Sequence, residues 1–293
     1  MSKKTKQVEP APVMQPLTEL LRLPAGRVQL GALDSRATLG FEGGKANAPG
    51  RTLALGPELS ELQERLFAAG RAGLPGAPRV LVVLQGMDTS GKGGVIRHAI
   101  GMVDPQGVRI KAFKAPTEEE RGHPFLWRIE RELPPPGMIG IFDRSHYEDV
   151  LTVRVNGDVK EAVWEKRYDE INAWEQQLVA SGTVLVKCFL HISSATQKER
   201  LEARLADPTK YWKYNPGDVD ERAKWLRYAE AYEVALERCS TQYAPWYVVP
   251  SGRKWYRNWA VAQLLVEHLR DLDLKWPAAD FDVEAEKLRL AAT

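Results

Sequence analysis

A chain of 293 residues and 32.9 kDa is long enough to bury a full hydrophobic core within one large α/β domain. Its 44% hydrophobic and 27% charged composition is that of an ordinary soluble domain, and no apolar run approaches the ~20 residues that a membrane-spanning helix requires. A net charge of +2 and a pI near 8.4 argue against a generally basic nucleic-acid binder, while leaving room for a local cationic channel that holds a polyanion.

The first residues, MSKKTKQVEPAPV, are basic but lack the apolar stretch of a secretory signal. Cys188 and Cys239 are the two cysteines of the chain, and buried free thiols in a reducing compartment are expected. Both features point to a cytoplasmic protein. Residues 1–52 are rich in Pro, Gly, Ala and Lys and read as a tail with an irregular lead-in, which leaves 53–293 as the domain proper. From Glu58 to Arg71, Leu59, Leu62, Leu66 and Phe67 recur at helical spacing and predict an amphipathic helix.

The pattern then changes. RVLVVLQG (79–86) is an apolar run ending in glycine, the form of a strand buried on both faces of a parallel sheet. Comparable strands are predicted at 108–115, 138–143, 183–192 and 246–250, each separated from the next by helix-like sequence. This alternation predicts a three-layer α/β/α sandwich with a parallel central sheet and right-handed crossovers. Ligands of such folds bind beyond the carboxyl ends of the strands.

GMDTSGKGG (86–94) directly follows the first strand and opens a helix, matching G-x-x-x-x-G-K. Gly86, Gly91, Gly93 and Gly94 let the backbone curl around phosphate, with Thr89 and Ser90 in the same cradle and Lys92 supplying a full positive charge. Gly93 stands where nucleotide-hydrolysing P-loops carry a magnesium-binding Ser or Thr. Asp88 inside the loop would repel phosphate unless a cation lies between them, so it reads either as a magnesium ligand or as an Asx-type turn residue.

MIGIFDRSHYEDVL (138–151) places Asp143 at a strand end, where a second carboxylate could reach the same metal. Arg144 follows, suited to bidentate phosphate contact or simply a surface charge. Glu148 either contacts the nucleotide or its metal, or favours the amino end of the next helix. His146 and Tyr147 read as packing residues.

A helical insertion is predicted around 205–240, with a lid over about 205–222. Arg200, Arg204, Lys210 and Lys213 crowd residues 199–225 and read either as cations that face the nucleotide from a lid closing over the site to exclude water, or as part of a solvated charged helix. Tyr211, Trp212 and Tyr214 read as packing residues. Between the second and third strands, Lys114 and Arg128 are the first candidates for a cationic track along a polyanion.

Together, GMDTSGKGG, FDRSHYEDVL, RLADPTKYWK and APWYVVPSGRKWYRNWA resemble the polyphosphate kinase 2 family, over about Leu53 to Leu269. The resemblance implies a P-loop kinase-like fold, commonly assembled into homodimers or homotetramers, acting on inorganic polyphosphate and nucleotides. It implies that Asp88 and Asp143 hold Mg2+, for which Mn2+ could substitute, that Lys92 and Arg144 contact phosphates, and that Arg204 reaches in from the lid. SHYEDVL resembles the subgroup that phosphorylates both nucleoside mono- and diphosphates (AMP/ADP, GMP/GDP). Two alternatives stay open: a nucleotide kinase using only ATP as donor, and a non-catalytic polyphosphate or nucleotide sensor.

Overall fold

The computed structural model describes residues 15–293; the first part of the expected tail, 1–14, lies outside the described residues. Five strands form one sheet: β1 (Arg79–Gln85), β2 (Val108–Ala112), β3 (Ile139–Asp143), β4 (Thr183–His191) and β5 (Trp246–Pro250). All pairings are parallel, in the order β2-β3-β1-β4-β5. The longer helices, in chain order, are α1 (Gly56–Arg71), α2 (Lys92–His98), α3 (Glu148–Asn156), α4 (Glu161–Ala180), α5 (Ser194–Leu205), α6 (Gly217–Ala223), α7 (Trp225–Cys239), α8 (Lys254–Asp271) and α9 (Val283–Ala291).

All five expected strands are present; β1, β3, β4 and β5 form because their residues can be buried on both faces, while β2, at the sheet edge, keeps Ile110 53% exposed. Val80, Val82 and Leu84 of β1 point into one core with α1, α2 and α8, while Leu81 and Val83 point into a second core with α3, α4 and α7. A fully buried Val or Leu contributes about 1.5–3 kcal/mol, more than the net value of a ladder hydrogen bond, about 0.5–1.5 kcal/mol. Burial of the two faces, rather than the ladder, therefore selects this sheet. Among the described residues no helix is long and apolar enough to cross a membrane.

The lead-in is irregular in backbone, yet residues 16–48 are packed on the domain. Leu17, Leu21, Val28, Leu30, Phe41 and Ala48 are all buried. Leu23 N–H donates to Trp246 O at 2.8 Å, and Val248 N–H donates to Leu21 O at 2.9 Å, so this segment covers the open edge of β5. Glu267 of α8 accepts from the amides of Leu17 and Thr18 at 3.0 and 2.8 Å. The insertion is shorter than expected. Helix α7 buries Ala231, Tyr232, Ala235, Leu236 and Cys239 in the second core, so only the arm around 205–223 projects from the domain.

Helix α1 meets the turn before β3 at a backbone-to-backbone contact. A Cβ added at Gly70 would lie 2.5 Å from Pro136 O and 2.7 Å from Gly137 Cα. Backbone cannot give way as a side chain can. Gly70→Ala should therefore cost about 1–3 kcal/mol, read as a lower denaturant midpoint with an unchanged slope.

Candidate active site

The register of the sheet builds the site. Leu84 pairs with Asp143 across β1 and β3, so the loop leaving β1 at Gly86 starts beside the carboxyl end of β3. Gly86 and Gly91 take positive φ, at 148° and 107°, and Lys92 opens α2 directly afterwards. Two non-glycine residues here, Thr89 and Arg144, also have positive φ, at 63° and 65°, which costs energy that the surrounding structure must offset.

Charge converges at this point. Arg144 donates to Asp88 Oδ1 at 2.9 Å and lies 3.6 Å from Glu148 Oε2. Burial opposes the charge on Arg144, but Glu148 and Asp88 outweigh it and raise the guanidinium pKa, so this group stays cationic. Lys92 Nζ donates to Gly86 O at 3.0 Å, folded over its own loop. Its pKa is lowered, first by burial and then by Arg144, against the opposing pull of Asp88, Asp143 and Glu148. An arriving phosphate would relieve the desolvation of Lys92 and its repulsion from Arg144. Buried Ser90 Oγ and Thr89 Oγ1 have no protein partner.

The loop is held from behind by two arginines. Arg200 donates to Thr89 O at 2.7 Å, Ser90 O at 3.1 Å and Ser251 O at 2.5 Å. Arg257, also buried, donates to Ser90 O at 3.1 Å, and its pKa is pushed down to about 10 by burial and by Arg200. Arg200 was expected to face nucleotide from the lid; instead it supports the phosphate loop, because the orphan carbonyls of that loop claim its donors. Arg257 was missed by sequence reasoning, although it lies within the GRKWYRNWA motif.

Two other expectations are corrected. Arg128 is buried against Asp149, donating at 2.9 Å, and also donates to Lys114 O at 2.9 Å, so it cannot line an open track. Arg204 donates to Lys213 O at 2.8 Å and Asp218 at 3.2 Å, which ties the arm together rather than pointing at the phosphate loop. Lys114 is exposed just beyond β2. On the arm, Lys210 pairs with Asp207 at 2.6 Å and Lys213 lies over the Trp212 ring. Tyr211 and Trp212 are 55% and 79% exposed, so they are surface residues rather than the packing expected of them. Tyr214 is half-buried.

A cavity of about 310 Å³ opens between the phosphate loop, the start of α3 and the arm. Asp88, Arg144 and Glu148 line it on the domain side, and Asp218, Asp220 and Glu221 line it on the arm side. Burial and the nearby charge of Asp88 raise the pKa of Asp218. These arm carboxylates were missed because the cations of the insertion drew attention; PGDVDER was the available signal. A larger cavity, about 600 Å³, lies between the lead-in and α8 and includes no residue of the phosphate loop.

A strand–glycine loop–helix cradle beside a strand-end acid, in a sheet of this order, defines a P-loop kinase-like phosphotransferase fold. Comparison with known proteins narrows this. The family model for polyphosphate kinase 2 matches residues 48–276, and the chain belongs to that family. It is 47% identical to the AMP/ADP-polyphosphate phosphotransferase of Meiothermus ruber over 254 residues, covering 87% of this chain and 93% of that one. It is 42% identical to the ADP-polyphosphate phosphotransferase of Rhodopseudomonas palustris over 231 residues, covering 75% and 78%. A crystal structure of polyphosphate kinase 2 from Arthrobacter aurescens TC1 superposes with a TM-score of 0.92 at 49% identity, covering 98% of this chain and all of that one.

A Cβ on Gly91 would lie 1.7 Å from Arg257 Nη1, and the residue has φ of 107°, so both space and backbone demand glycine here. Gly91→Ala should shift the loop by roughly 1 Å and lower kcat/KM for phosphoryl transfer about 100-fold or more. Steady-state kinetics alongside an unchanged far-ultraviolet circular dichroism spectrum would check this.

Proposed function

We propose that the chain transfers a phosphoryl group between inorganic polyphosphate and nucleoside mono- and diphosphates, AMP and ADP foremost and GMP and GDP as further acceptors. One observation carries the reading. Asp88, Lys92, Asp143 and Arg144 meet at the carboxyl end of β1 and β3, two acids and two bases around a phosphate cradle. The nucleotide class is supported by the names of the Meiothermus and Rhodopseudomonas relatives. Glu148 lines the cavity, held by Thr152 Oγ1, which donates to it at 2.7 Å, and belongs to the nucleotide side of the site.

The donor set fits a divalent cation. Asp88 and Asp143 offer only oxygen, and among the described residues no group of three or more His, Cys, Asp or Glu forms a self-contained cage. Two carboxylates leave the remaining positions to phosphate oxygens and water, which suits Mg2+, with Mn2+ as a substitute. Bound there, the cation would offset the repulsion between two anionic reactants and the acidic cavity wall.

The protein's own groups do the rest. The loop amides and Lys92 hold the polyphosphate end, and Arg144 neutralises charge on the phosphoryl in transit. A terminal oxygen of the nucleotide attacks the terminal phosphorus of polyphosphate in line, and the bond to the next bridging oxygen breaks, leaving polyphosphate one unit shorter. No covalent enzyme intermediate forms. The arm at 205–222 acts as the lid that excludes water, carrying Lys210 and Lys213, with Lys114 on the path of the polyanion.

The reaction is placed in the cytoplasm, consistent with Cys188 and Cys239 being buried free thiols. A homodimer or homotetramer is supported by large apolar side chains left on the surface, among them Trp212, Leu226, Leu288 and Leu290. Neither nucleic acid nor membrane enters as a partner.

Purified enzyme incubated with polyphosphate and, in turn, AMP, ADP, GMP or GDP, with no other donor, should form the next higher phosphate of each. Asp143→Asn should lower that turnover about 100-fold or more, and chelation of divalent cations should abolish it reversibly. Product formation only when ATP is supplied as donor would refute the polyphosphate reading.

A further inference from the structure

Beyond Arg144 the chain turns from β3 into α3 through Ser145, His146 and Tyr147, all of them buried. Around this turn the side chains other than Arg144 and Glu148 bond inward. Ser145 Oγ accepts from Gln85 Nε2 at 3.1 Å and from the Tyr147 amide at 3.2 Å. Tyr147 donates its hydroxyl to Glu175 Oε1 at 2.8 Å and accepts from Lys187 Nζ at 3.0 Å. His146 Nε2 lies 3.2 Å from the same Glu175 oxygen, and since a carboxylate only accepts, this ring nitrogen carries the proton. Lys187 uses its other two donors on Glu175 Oε2 at 2.6 Å and Cys239 O at 2.7 Å. Asp149, in the first turn of α3, accepts from Arg128.

Glu175 and Lys187 are both 0% exposed, on α4 and β4, in the layer beneath the phosphate-binding turn. A buried ion pair carries a desolvation penalty that apolar side chains of the same volume would avoid, so packing alone does not account for it. What the pair does provide is direction. Its hydrogen bonds converge on Tyr147 and His146, three and two residues from Arg144, whose φ of 65° would relax if the turn were free to move. With both aromatic residues fixed inward, the chain leaves Arg144 and Glu148 facing the cavity.

We infer that Glu175, Lys187 and Tyr147 are positioning residues, whose buried network aims Arg144 at the phosphoryl group. This rests on the reaction proposed above, so its test carries a readout independent of turnover. Tyr147→Phe removes one hydroxyl and leaves the Glu175–Lys187 pair intact, with no charge unpartnered. Expected are a kcat about 10- to 100-fold lower, KM values within about twofold of wild type, and a thermal midpoint within a few degrees. Combined with Arg144→Lys, the two losses should not multiply, because both act through one guanidinium. In the nuclear magnetic resonance spectrum of the enzyme, the Arg144 Nε–H signal should broaden or shift in Tyr147→Phe. Wild-type kcat in Tyr147→Phe, losses that multiply fully with Arg144→Lys, or an unmoved Arg144 signal would each overturn the inference. If Tyr147→Phe does not fold, the uncharged pair Glu175→Gln with Lys187→Met takes the same criteria. A wild-type enzyme that transfers nothing from polyphosphate speaks against the reaction, while the Arg144 signal still decides the network.

Discussion

The structure depends on bringing charged groups of both signs to one point at the carboxyl end of the central strands. Leu84 and Asp143 are in register, and this single pairing sets the phosphate loop beside the strand-end acid. Asp88 and Arg144 then meet at 2.9 Å across the gap between two loops. A pair this exposed, with the arginine side chain at 42%, adds little to stability. Its value lies in being poised: Arg144 is stabilised as a cation by Glu148 and Asp88, while Lys92 is held in a setting that disfavours its charge until an anion arrives. The same acids favour the charge on both bases; at Arg144 they outweigh burial, whereas at Lys92 burial and the neighbouring Arg144 prevail.

Around that point the protein spends buried arginines as supports. Arg200 and Arg257 donate to carbonyls that the tight phosphate loop cannot satisfy within itself. Within the loop the Ser90 amide donates to Met87 O at 3.0 Å. Arg257 also explains two glycines at once, since a Cβ on Gly91 or Gly94 would meet its guanidinium at 1.7 or 2.4 Å. Gly91 and Gly94 thus answer to what lies behind the loop, whereas a Cβ on Gly93 would meet nothing within 4 Å.

How much of this was legible in the sequence follows from what each feature requires. β1, β3, β4 and β5 were legible because residues buried on both faces leave a continuous apolar run; β2, half-exposed at the sheet edge, was legible only from its place in the strand–helix alternation. The phosphate cradle was legible because its glycines answer to local backbone geometry. The cations were not. Arg128, Arg200 and Arg204 look alike in sequence, yet one is buried against Asp149, one braces the loop and one ties the arm to Asp218. A guanidinium reaches far from its Cα, so its partner depends on tertiary placement that spacing along a helix does not encode. The lead-in read as irregular, and its docking on the domain was not legible: it combines main-chain bonds to Trp246, Val248 and Glu267 with scattered buried side chains such as Leu17, Leu21 and Phe41, which leave no periodic pattern.

The arm shows how the two kinds of evidence combine. Its cations, Lys210 and Lys213, lie near its exposed tip, while its acids Asp218, Asp220 and Glu221 face the cavity. An arm lined with acid on its inner face would repel a nucleotide phosphate by Coulomb's law alone, and more strongly as water is excluded and the local dielectric falls. The raised pKa of Asp218 comes first from burial and then from the same kind of repulsion, between the arm and Asp88. Five carboxylates line the cavity with Arg144, and two of them have cationic partners of their own, Asp218 with Arg204 at 3.2 Å and Glu221 with Lys224 at 2.8 Å. Asp220, Asp88 and Glu148 are the rest of that acidic wall, so the field inside the cavity disfavours an anion that enters without positive charge beside it.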